Sequence, residues 1–324
     1  LLPPRAPLLA GDGSVLAEGP AGDAVATAAA EAAPRSSPLG AAAAAVTGSV
    51  GPVPADRRRQ LESEGVPADA LVGVSGLELA LDKQLRGQAG GELLAGTRVL
   101  ASAEPRPGTP ARTTISPSVQ EAAVTALSGR YGGIVAMRPQ NGEILAVAGI
   151  GLEGLQPPGS TFKMVTVTGV LASHIAQTQS VFPFATYATL DGVKLHNANG
   201  EECGGTLEEA FAVSCNSVFS PLGVRLGAPR LVATAEAYGF NSPAGIPGVP
   251  ASTLPAASSI QGELALGSTA IGQGQVLATP LEMATVAATI GEGGRRPLPT
   301  FLPARGHPFI ARASSSAVAR TVRH

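Results

Sequence analysis

Apolar segments alternate with glycine- and proline-rich breaks throughout residues 116–300, and their spacing predicts the secondary structure there. Between Ser116 and Gly129 the apolar residues have helical spacing, with a serine in the N-cap position and a glycine as the stop, so we expect a helix. Two apolar runs in 132–150 flank Asn141–Gly142, a pair that tolerates positive φ angles and predicts a hairpin. Both strands are apolar at nearly every position, which indicates a sheet that is covered on both faces.

A later helix is predicted to begin at Thr279 as the N-cap, with Pro280 at the first helical position and Glu282 completing a capping box. It ends in a glycine-rich stop. Together these elements predict an α+β fold, with a mostly antiparallel sheet and helices on both of its faces.

Residues 1–115 are loop-rich and show less periodicity. A hairpin is predicted around Asp12–Gly13. Leucines at positions i, i+4 and i+8 predict one helix over Ser75–Gly87. The alanine-rich segments 24–34 and 39–48 favour helix over a low-complexity linker.

The composition sets limits on the class of protein. The 324 residues are 44% hydrophobic but only 3% aromatic, so a large core must be built from aliphatic side chains. A net charge of -2 without long basic runs argues against a nucleic-acid partner.

No apolar run reaches the roughly 18 residues that a membrane helix needs. Because the chain begins with Leu1 and not with Met, we expect a piece of a longer protein, with a membrane anchor upstream.

The first candidate for chemistry is the pair formed by Ser160 and Lys163, which follows the loop Pro157–Gly159. The serine is expected in the first turn of an apolar helix, where free N–H groups favour an oxyanion, with the lysine one turn further on the same face. Burial of Lys163 would lower its pKa and supply a neutral amine, so the pair has the chemistry of a nucleophile and its general base. The alternative is a serine N-cap followed by a lysine whose ammonium reaches solvent.

A second candidate lies in the apolar segment 210–219, where Ser214 and Asn216 flank Cys215. In a short turn, their two side chains would point the same way. A hydroxyl can relay a proton, and a carboxamide can hold a substrate amide by donating and accepting hydrogen bonds. The alternative is that Ser214 caps a helix.

These two segments, together with a third, resemble one known family in sequence, order and spacing. The resemblance is to the transpeptidase domain of penicillin-binding proteins, and further upstream segments resemble the pedestal region and domain entry of the class B, monofunctional members. The composition is similar to that of actinobacterial proteins. The resemblance covers roughly residues 45–323 and is carried by 158–163, 210–219, 272–294, 72–90 and 113–127.

The resemblance implies a pedestal or dimerisation region over residues 1–112 and a transpeptidase domain over 113–324. It implies acyl transfer on peptidoglycan stem peptides ending in D-Ala-D-Ala, with Ser160 as the nucleophile and the backbone N–H of Ser160 as one oxyanion donor. Lys163 would be the base, Ser214 the proton relay and Asn216 the residue that holds the substrate amide.

The family also implies partners and a location. β-Lactams would acylate the same serine, and division or elongation proteins are possible partners. The expected location is the cell envelope, at the outer face of the cytoplasmic membrane, and no cofactor or metal is implied.

The sequence departs from the family in two respects. The family's third motif, Lys-Thr-Gly or a close variant, is absent, because none of Lys83, Lys163 and Lys194 is followed by Ser/Thr-Gly. The expectation is that the chain is truncated before its C-terminal strands; a degenerate, non-catalytic relative is the alternative. Near the start, only Arg5 and Asp12–Gly13 remain of a signature common in class B proteins.

The two cysteines, Cys203 and Cys215, do not form a metal site with the scattered histidines. In the oxidising envelope that the family implies, a disulfide between them would close a loop of about a dozen residues and contribute about 3 kcal/mol. The alternative is two free thiols, with Cys215 as a small core residue.

Two rival functions share parts of these patterns. Class D-type β-lactamases and β-lactam sensors have the Ser-x-x-Lys pair, but they usually carry an apolar residue at the position of Asn216 and lack a counterpart of residues 72–127. An alanine-rich structural or partner-binding module would use Ser160 only as a cap and Lys163 only as a surface charge.

Overall fold

The computed structural model describes residues 2–21, 34–304, 306 and 308–323. Its secondary structure is a mixture of helices and strands, as the α+β prediction requires. The helices are α1 (Ala41–Thr47), α2 (Arg58–Ser63), α3 (Gly76–Ala80), α4 (Asp82–Arg86), α5 (Pro117–Leu127), α6 (Lys163–Ala172), α7 (Leu207–Ala212), α8 (Asn216–Leu226), α9 (Ala228–Tyr238), α10 (Glu263–Ala270), α11 (Pro280–Gly291) and α12 (Ser316–Arg323).

The strands pair mostly in antiparallel hairpins, and a parallel pairing joins β1 to β8 in a sheet of order β3-β2-β1-β8. The other pairs are β4 with β5, β6 with β7, β9 with β10, β11 with β14, β12 with β13 and β15 with β16. The strands are β1 (Leu8–Leu9), β2 (Val15–Ala21), β3 (Arg35–Ser36), β4 (Val50–Pro52), β5 (Leu71–Gly73), β6 (Gly91–Ala95), β7 (Arg98–Ala103), β8 (Ala111–Arg112), β9 (Gly133–Met137), β10 (Ile144–Gly149), β11 (Val181–Ala185), β12 (Tyr187–Leu190), β13 (Val193–His196), β14 (Cys203–Thr206), β15 (Arg295–Pro297) and β16 (Phe309–Arg312).

Both predicted hairpins are confirmed. Strands β1 and β2 pair around Asp12–Gly13, and β9 and β10 pair around Asn141–Gly142. Gly13 and Gly142 have φ angles of 91° and 74°, the left-handed region that a tight turn of this kind uses.

The β9–β10 hairpin is covered on both faces, as its apolar composition predicted. Ala146 and Ala148 pack against α5 in one cluster, whereas Val147 points to the opposite face and joins a cluster with Leu281 of α11. Because side chains alternate along a strand, one hairpin serves two helical layers. The second cluster also contains Leu8, so the core continues into the N-terminal part of the chain.

The predicted single helix over Ser75–Gly87 is wrong in extent. The structure has two short helices, α3 and α4, which are separated at Leu81, where φ is -113°. The leucines still face inward: Leu77 and Leu85 are fully buried, and Leu81 packs at the edge of the same cluster.

The two helices place two carboxylates in the interior, where arginines bind them. Glu78, which is fully buried, accepts hydrogen bonds from the Nε atoms of Arg5 and Arg35 at 2.7 and 2.8 Å. Asp82 accepts one from Arg5 at 2.8 Å and another from Arg86. Buried carboxylates need such partners, and Arg5 thereby ties the N-terminal segment to α3 and α4.

The end of α5 and the start of α11 also differ in detail from the expectation. Helix α5 ends at Leu127, and its C-cap Ser128, one residue before the predicted glycine stop, has a left-handed φ of 48°. In α11 the Thr279 side chain accepts from the Glu282 N–H, but the Glu282 carboxyl does not return the bond, so only half of the capping box forms. The segment 39–48 contains α1, and the segment 24–34 lies outside the described residues except for Pro34.

Helices α6, α8, α9 and α10 form the other large layer, in which α8 packs against each of the other three. The few aromatic residues are concentrated there: Phe162, Phe219, Tyr238 and Phe240 are fully buried. The ring of Phe162 meets that of Phe240 edge to face at 5.3 Å, which fixes the start of α6 against the core. Across the described ranges, no helix combines the length and the apolarity that a membrane crossing requires.

Candidate active site

Ser160 lies in a tight turn that leads into α6. Residues Gly159–Phe162 form one turn of 3-10 helix, and α6 follows directly from Lys163. Within this turn Phe162 is fully buried while Ser160 is exposed, so the core anchors the turn and leaves the serine hydroxyl accessible. The predicted position of Ser160 in the first turn is confirmed.

A glycine from a distant segment supports this turn from behind. The N–H of Gly159 donates to the carbonyl of Gly272 at 2.9 Å. Gly272 has a φ of 71°, and a Cβ atom there would lie 2.1 Å from the Gly159 oxygen. Only glycine fits this close approach. The sequence reasoning did not identify Gly272, although it lies in the third segment of the family resemblance.

Lys163 is buried under the serine, with 1% of its surface exposed. Val165, Val167 and Val170 of the same helix are also buried, and the Lys163 Nζ lies 5.7 Å from the centroid of the Phe219 ring. Desolvation lowers the pKa of Lys163 from 10.5 to about 8. The lowered pKa that the sequence predicted for Lys163 therefore follows from the burial of its amine in the structure.

The turn that carries Ser214 and Asn216 meets Lys163 from the far side. Ser214 has a left-handed φ of 59°, between α7 and α8, and Asn216 is the first residue of α8. The Nζ of Lys163 lies 3.1 Å from Ser160 Oγ, 3.0 Å from Ser214 Oγ, 2.5 Å from the Ser214 carbonyl oxygen and 2.6 Å from Asn216 Oδ1. All four predicted residues thus come together around one amine.

The chemical types of these four oxygen atoms restrict what the amine can do. The Ser214 carbonyl and Asn216 Oδ1 are acceptors only, so they take the two N–H groups of a neutral lysine. The lone pair then faces the hydroxyls of Ser160 and Ser214, the two neighbours that can donate a proton. A neutral Lys163 in this arrangement can accept a proton from either hydroxyl.

Two further contacts hold the Ser214–Asn216 turn in place. Cys215 is joined to Cys203 of β14 by a disulfide, across 12 positions of sequence. Asn197, only 6% exposed, accepts from the Ser217 N–H at 2.8 Å and donates to the Ala185 carbonyl at 2.8 Å. Asn197 was also missed, and its polar neighbourhood in the sequence gave little reason to expect a buried side chain.

Asn216 has a defined orientation because both ends of its amide are bound. Its Oδ1 accepts from Lys163, and its Nδ2 donates to the carbonyl oxygen of His196 at 3.0 Å.

As for metal binding, the described ranges hold no group of three or more His, Cys, Asp or Glu side chains suited to an ion.

Comparison with known families gives two matches along the chain. The model for the penicillin-binding protein transpeptidase domain matches residues 132–316, which contain all four residues around the amine. The model for the penicillin-binding protein dimerisation domain matches residues 23–101.

Individual relatives agree with these matches. The chain is 32% identical to the peptidoglycan D,D-transpeptidase PbpA of Mycolicibacterium smegmatis, over 75% of this chain and 58% of that protein. It is 33% identical to PbpA of Mycobacterium tuberculosis, over 63% of this chain and 50% of that protein. The chain therefore spans about half the length of the curated relatives it matches.

Solved structures give the same assignment at the level of the fold. The D,D-transpeptidase domain of a peptidoglycan glycosyltransferase from Eggerthella lenta matches with a TM-score of 0.76 and 26% identity, over 98% of this chain and 79% of that one. An imipenem acyl-enzyme complex of penicillin-binding protein A from M. tuberculosis matches with a TM-score of 0.74 and 26% identity, over 98% and 80%.

Proposed function

The chain belongs to the penicillin-binding protein transpeptidase family, and we propose that the protein containing it is a class B peptidoglycan D,D-transpeptidase that works through an acyl-serine intermediate. The observation that carries the proposal is the position of the Lys163 amine, within 3.1 Å of Ser160 Oγ and 3.0 Å of Ser214 Oγ. A desolvated amine between two hydroxyls is suited to move a proton to and from a serine nucleophile.

In the proposed reaction, Ser160 Oγ attacks the carbonyl of the penultimate D-Ala of a stem peptide. Its proton passes to the lone pair of Lys163. Ser214 then relays this proton from Lys163 to the departing amine, so terminal D-Ala leaves and an ester to Ser160 remains. An amine of a second peptide attacks this ester and gives up a proton to Lys163. Lys163 passes this proton to the departing Ser160 Oγ, so the cross-link forms and both the Ser160 hydroxyl and the neutral lysine are restored.

Two groups are assigned to substrate binding. The carboxamide of Asn216 is half-buried beside the amine and holds an amide of the peptide. The backbone N–H of Ser160, in the first turn, is one donor to the oxyanion of the tetrahedral intermediate. β-Lactams acylate the same oxygen atom of Ser160.

The domain layout and location are part of the same proposal. Residues 1–112 form a pedestal, and 113–324 form the transpeptidase domain. The protein acts in the cell envelope, at the outer face of the cytoplasmic membrane, where an anchor outside this chain holds it and division or elongation proteins bind it. Fractionation of cells that express the full-length polypeptide, with protease treatment from the outside, tests the location.

The activity is tested on a polypeptide that extends beyond His324, because residues 1–324 contain no Lys-Ser/Thr-Gly. The protein is labelled with a fluorescent penicillin, and the modified peptide is identified by mass spectrometry. An adduct on Ser160 that disappears in Ser160→Ala is expected. The matched control is Ser173→Ala, at the C-cap of α6 and so at the end of that helix away from Ser160.

A second assay measures the reaction itself, as release of D-Ala and formation of a cross-linked product from a D-Ala-D-Ala peptide and an amine acceptor. Hydrolysis of penicillin with rapid turnover would instead indicate a β-lactamase. An extended polypeptide that forms no adduct on Ser160 and releases no D-Ala would overturn the proposal in favour of a non-catalytic relative.

A further inference from the structure

The hairpin formed by β12 and β13 lies directly beside the candidate active site. Its two strands are joined by Asp191–Gly192, with φ angles of 48° and 78°, which is a two-residue turn. Ala188 and Leu190 on one face of the hairpin are buried, and β12 packs on α8, the helix that begins with Asn216. This hairpin is therefore fixed to the same helix that carries a candidate substrate-binding residue.

The edge of β13 faces Asn216. The Asn197 N–H donates to the Thr186 carbonyl, so that pair is hydrogen-bonded across the hairpin. In an antiparallel ladder the next pair, Tyr187 with His196, is then not hydrogen-bonded, and the His196 carbonyl points away from β12. This is the carbonyl that accepts from Asn216 Nδ2 at 3.0 Å.

The solvent face of the hairpin carries a stacked group of polar and aromatic side chains. The cross-strand register puts Tyr187 opposite His196 and Thr189 opposite Lys194, and all four are exposed. The rings of Tyr187 and His196 are 5.5 Å apart, and the Lys194 Nζ lies 4.3 Å from the centroid of the Tyr187 ring. The aromatic face thus restrains the lysine by a cation–π contact.

The Lys194 ammonium is positioned but not neutralised. Within the described part of the chain, no carboxylate lies within 4.0 Å of it. The nearby Asp191 uses its Oδ2 to accept from the Leu264 N–H. The other two lysines are Lys163, buried under Ser160, and Lys83, exposed on α4.

We propose that the solvent face of this hairpin, carrying Tyr187, Thr189, Lys194 and His196, is a specificity wall of the active site. It contacts the donor peptide on the N-terminal side of its D-Ala-D-Ala end, and Lys194 pairs with a side-chain carboxylate there. Resting on the proposed function, the assignment follows from Asn216: a peptide amide held by this residue lies next to the hairpin edge. Tyr187 is a positioning residue that holds Lys194.

The test compares two synthetic donors on the full-length protein. One is acetyl-L-α-aminopimelyl-D-Ala-D-Ala, whose side chain ends in a carboxylate, and the other is its side-chain carboxamide. The readout is the ratio of their kcat/KM values for D-Ala release. Because one partly exposed ion pair is involved, the wild type is expected to favour the carboxylate about twofold to fivefold.

Variants of the hairpin residues test which side chains cause the preference for the carboxylate donor. Lys194→Gln is expected to bring the ratio to one, and Lys194→Glu to reverse it. Tyr187→Leu should reduce the ratio and Tyr187→Phe should retain it, because phenylalanine keeps the aromatic face. The matched control Lys83→Gln, the same change at an exposed lysine far from the site, should leave the ratio unchanged.

The outcomes separate this inference from the proposed function. Equal kcat/KM values for the two donors in the wild type, or an unchanged preference in Lys194→Gln, would overturn the proposal that this hairpin face is a specificity wall. The proposed transpeptidase function would still stand. If neither donor releases D-Ala and a fluorescent penicillin leaves no adduct on Ser160, the proposed function fails and the wall fails with it.

Discussion

The amide oxygen of Asn216 lies 2.6 Å from the amine of Lys163, although 53 positions of sequence separate the two residues. The same amide donates to the His196 carbonyl, so its oxygen faces the lysine and its nitrogen faces the hairpin. The carboxamide carries no charge, so it favours the charged ammonium form of Lys163 less than a carboxylate in the same place would.

Asn216→Asp should therefore weaken the base. A carboxylate at this distance favours the charged ammonium and raises the pKa of Lys163 by about one to three units. Acylation of Ser160 by a fluorescent penicillin at pH 7 is expected to slow at least about tenfold, with the rate recovering as the pH rises. Asn199→Asp, the same change at an exposed position, is the control, and an equal loss in both variants would contradict the argument.

Acylation of the unmodified protein should itself depend on pH through Lys163. With a pKa of about 8, roughly a tenth of these side chains are neutral at pH 7, against roughly three in ten thousand at the ordinary value of 10.5. The acylation rate is expected to rise about tenfold per pH unit below pH 8 and to level off above it. A rate that stays constant from pH 6 to 9 would show that this amine is not the base.

Gly272→Ala should displace the Ser160 turn. The added Cβ would lie 2.1 Å from the Gly159 oxygen, so we expect a loss of about 3 kcal/mol in the free energy of unfolding and slower acylation of Ser160. Gly274→Ala is the matched control, because Gly274 has nearly the same φ but no neighbour closer than 3.9 Å. Chemical denaturation measures the stability and penicillin labelling measures the acylation. Similar results for the two variants would show that the close approach of Gly272 to Gly159 does not support the Ser160 turn.

Removal of the disulfide should loosen the Ser214–Asn216 turn. For a bridge across 12 positions, the double variant Cys203→Ala, Cys215→Ala is expected to lose about 3 kcal/mol in the free energy of unfolding. Since Cys215 lies between Ser214 and Asn216, acylation should slow as well. Two titratable thiols in unreduced protein would show that the bridge does not form.

Glu282 should make stability depend on pH. Burial raises its pKa from 4.5 to about 7, with the Arg296 charge opposing the shift, and its Oε1 lacks a hydrogen bond. Because the folded state holds this proton more tightly, the contribution to stability is full below pH 4.5 and is lost as the pH rises to 7. Relative to Glu282→Gln, the unmodified protein is expected to lose up to about 3 kcal/mol over this range.

The measurement is the free energy of unfolding at several pH values for both proteins. Glu121→Gln, at an exposed position on α5, is the control and should track the unmodified protein. A constant difference between the unmodified protein and Glu282→Gln from pH 5 to 8 would contradict the shifted pKa.

Local features were predictable because they depend on neighbours in the chain. The turns at Asp12–Gly13 and Asn141–Gly142 follow from backbone preferences, and both form as expected. The proximity of Ser160 to Lys163 follows from helical spacing, since residues three apart share a face. The alternation of Ala146 and Val147 between two faces is likewise a property of any strand.

Other features depended on contacts between distant segments, and only the tertiary structure decided them. Whether the Lys163 amine is a surface charge or lies buried beside a second hydroxyl depends on the Ser214–Asn216 turn, which reaches Lys163 across more than 50 positions. The break in the predicted helix at Leu81 accompanies the binding of Glu78 and Asp82 by arginines from other segments. Spacing along a chain fixes which side chains share a face, whereas burial, charge compensation and pKa arise from whatever the fold packs against that face.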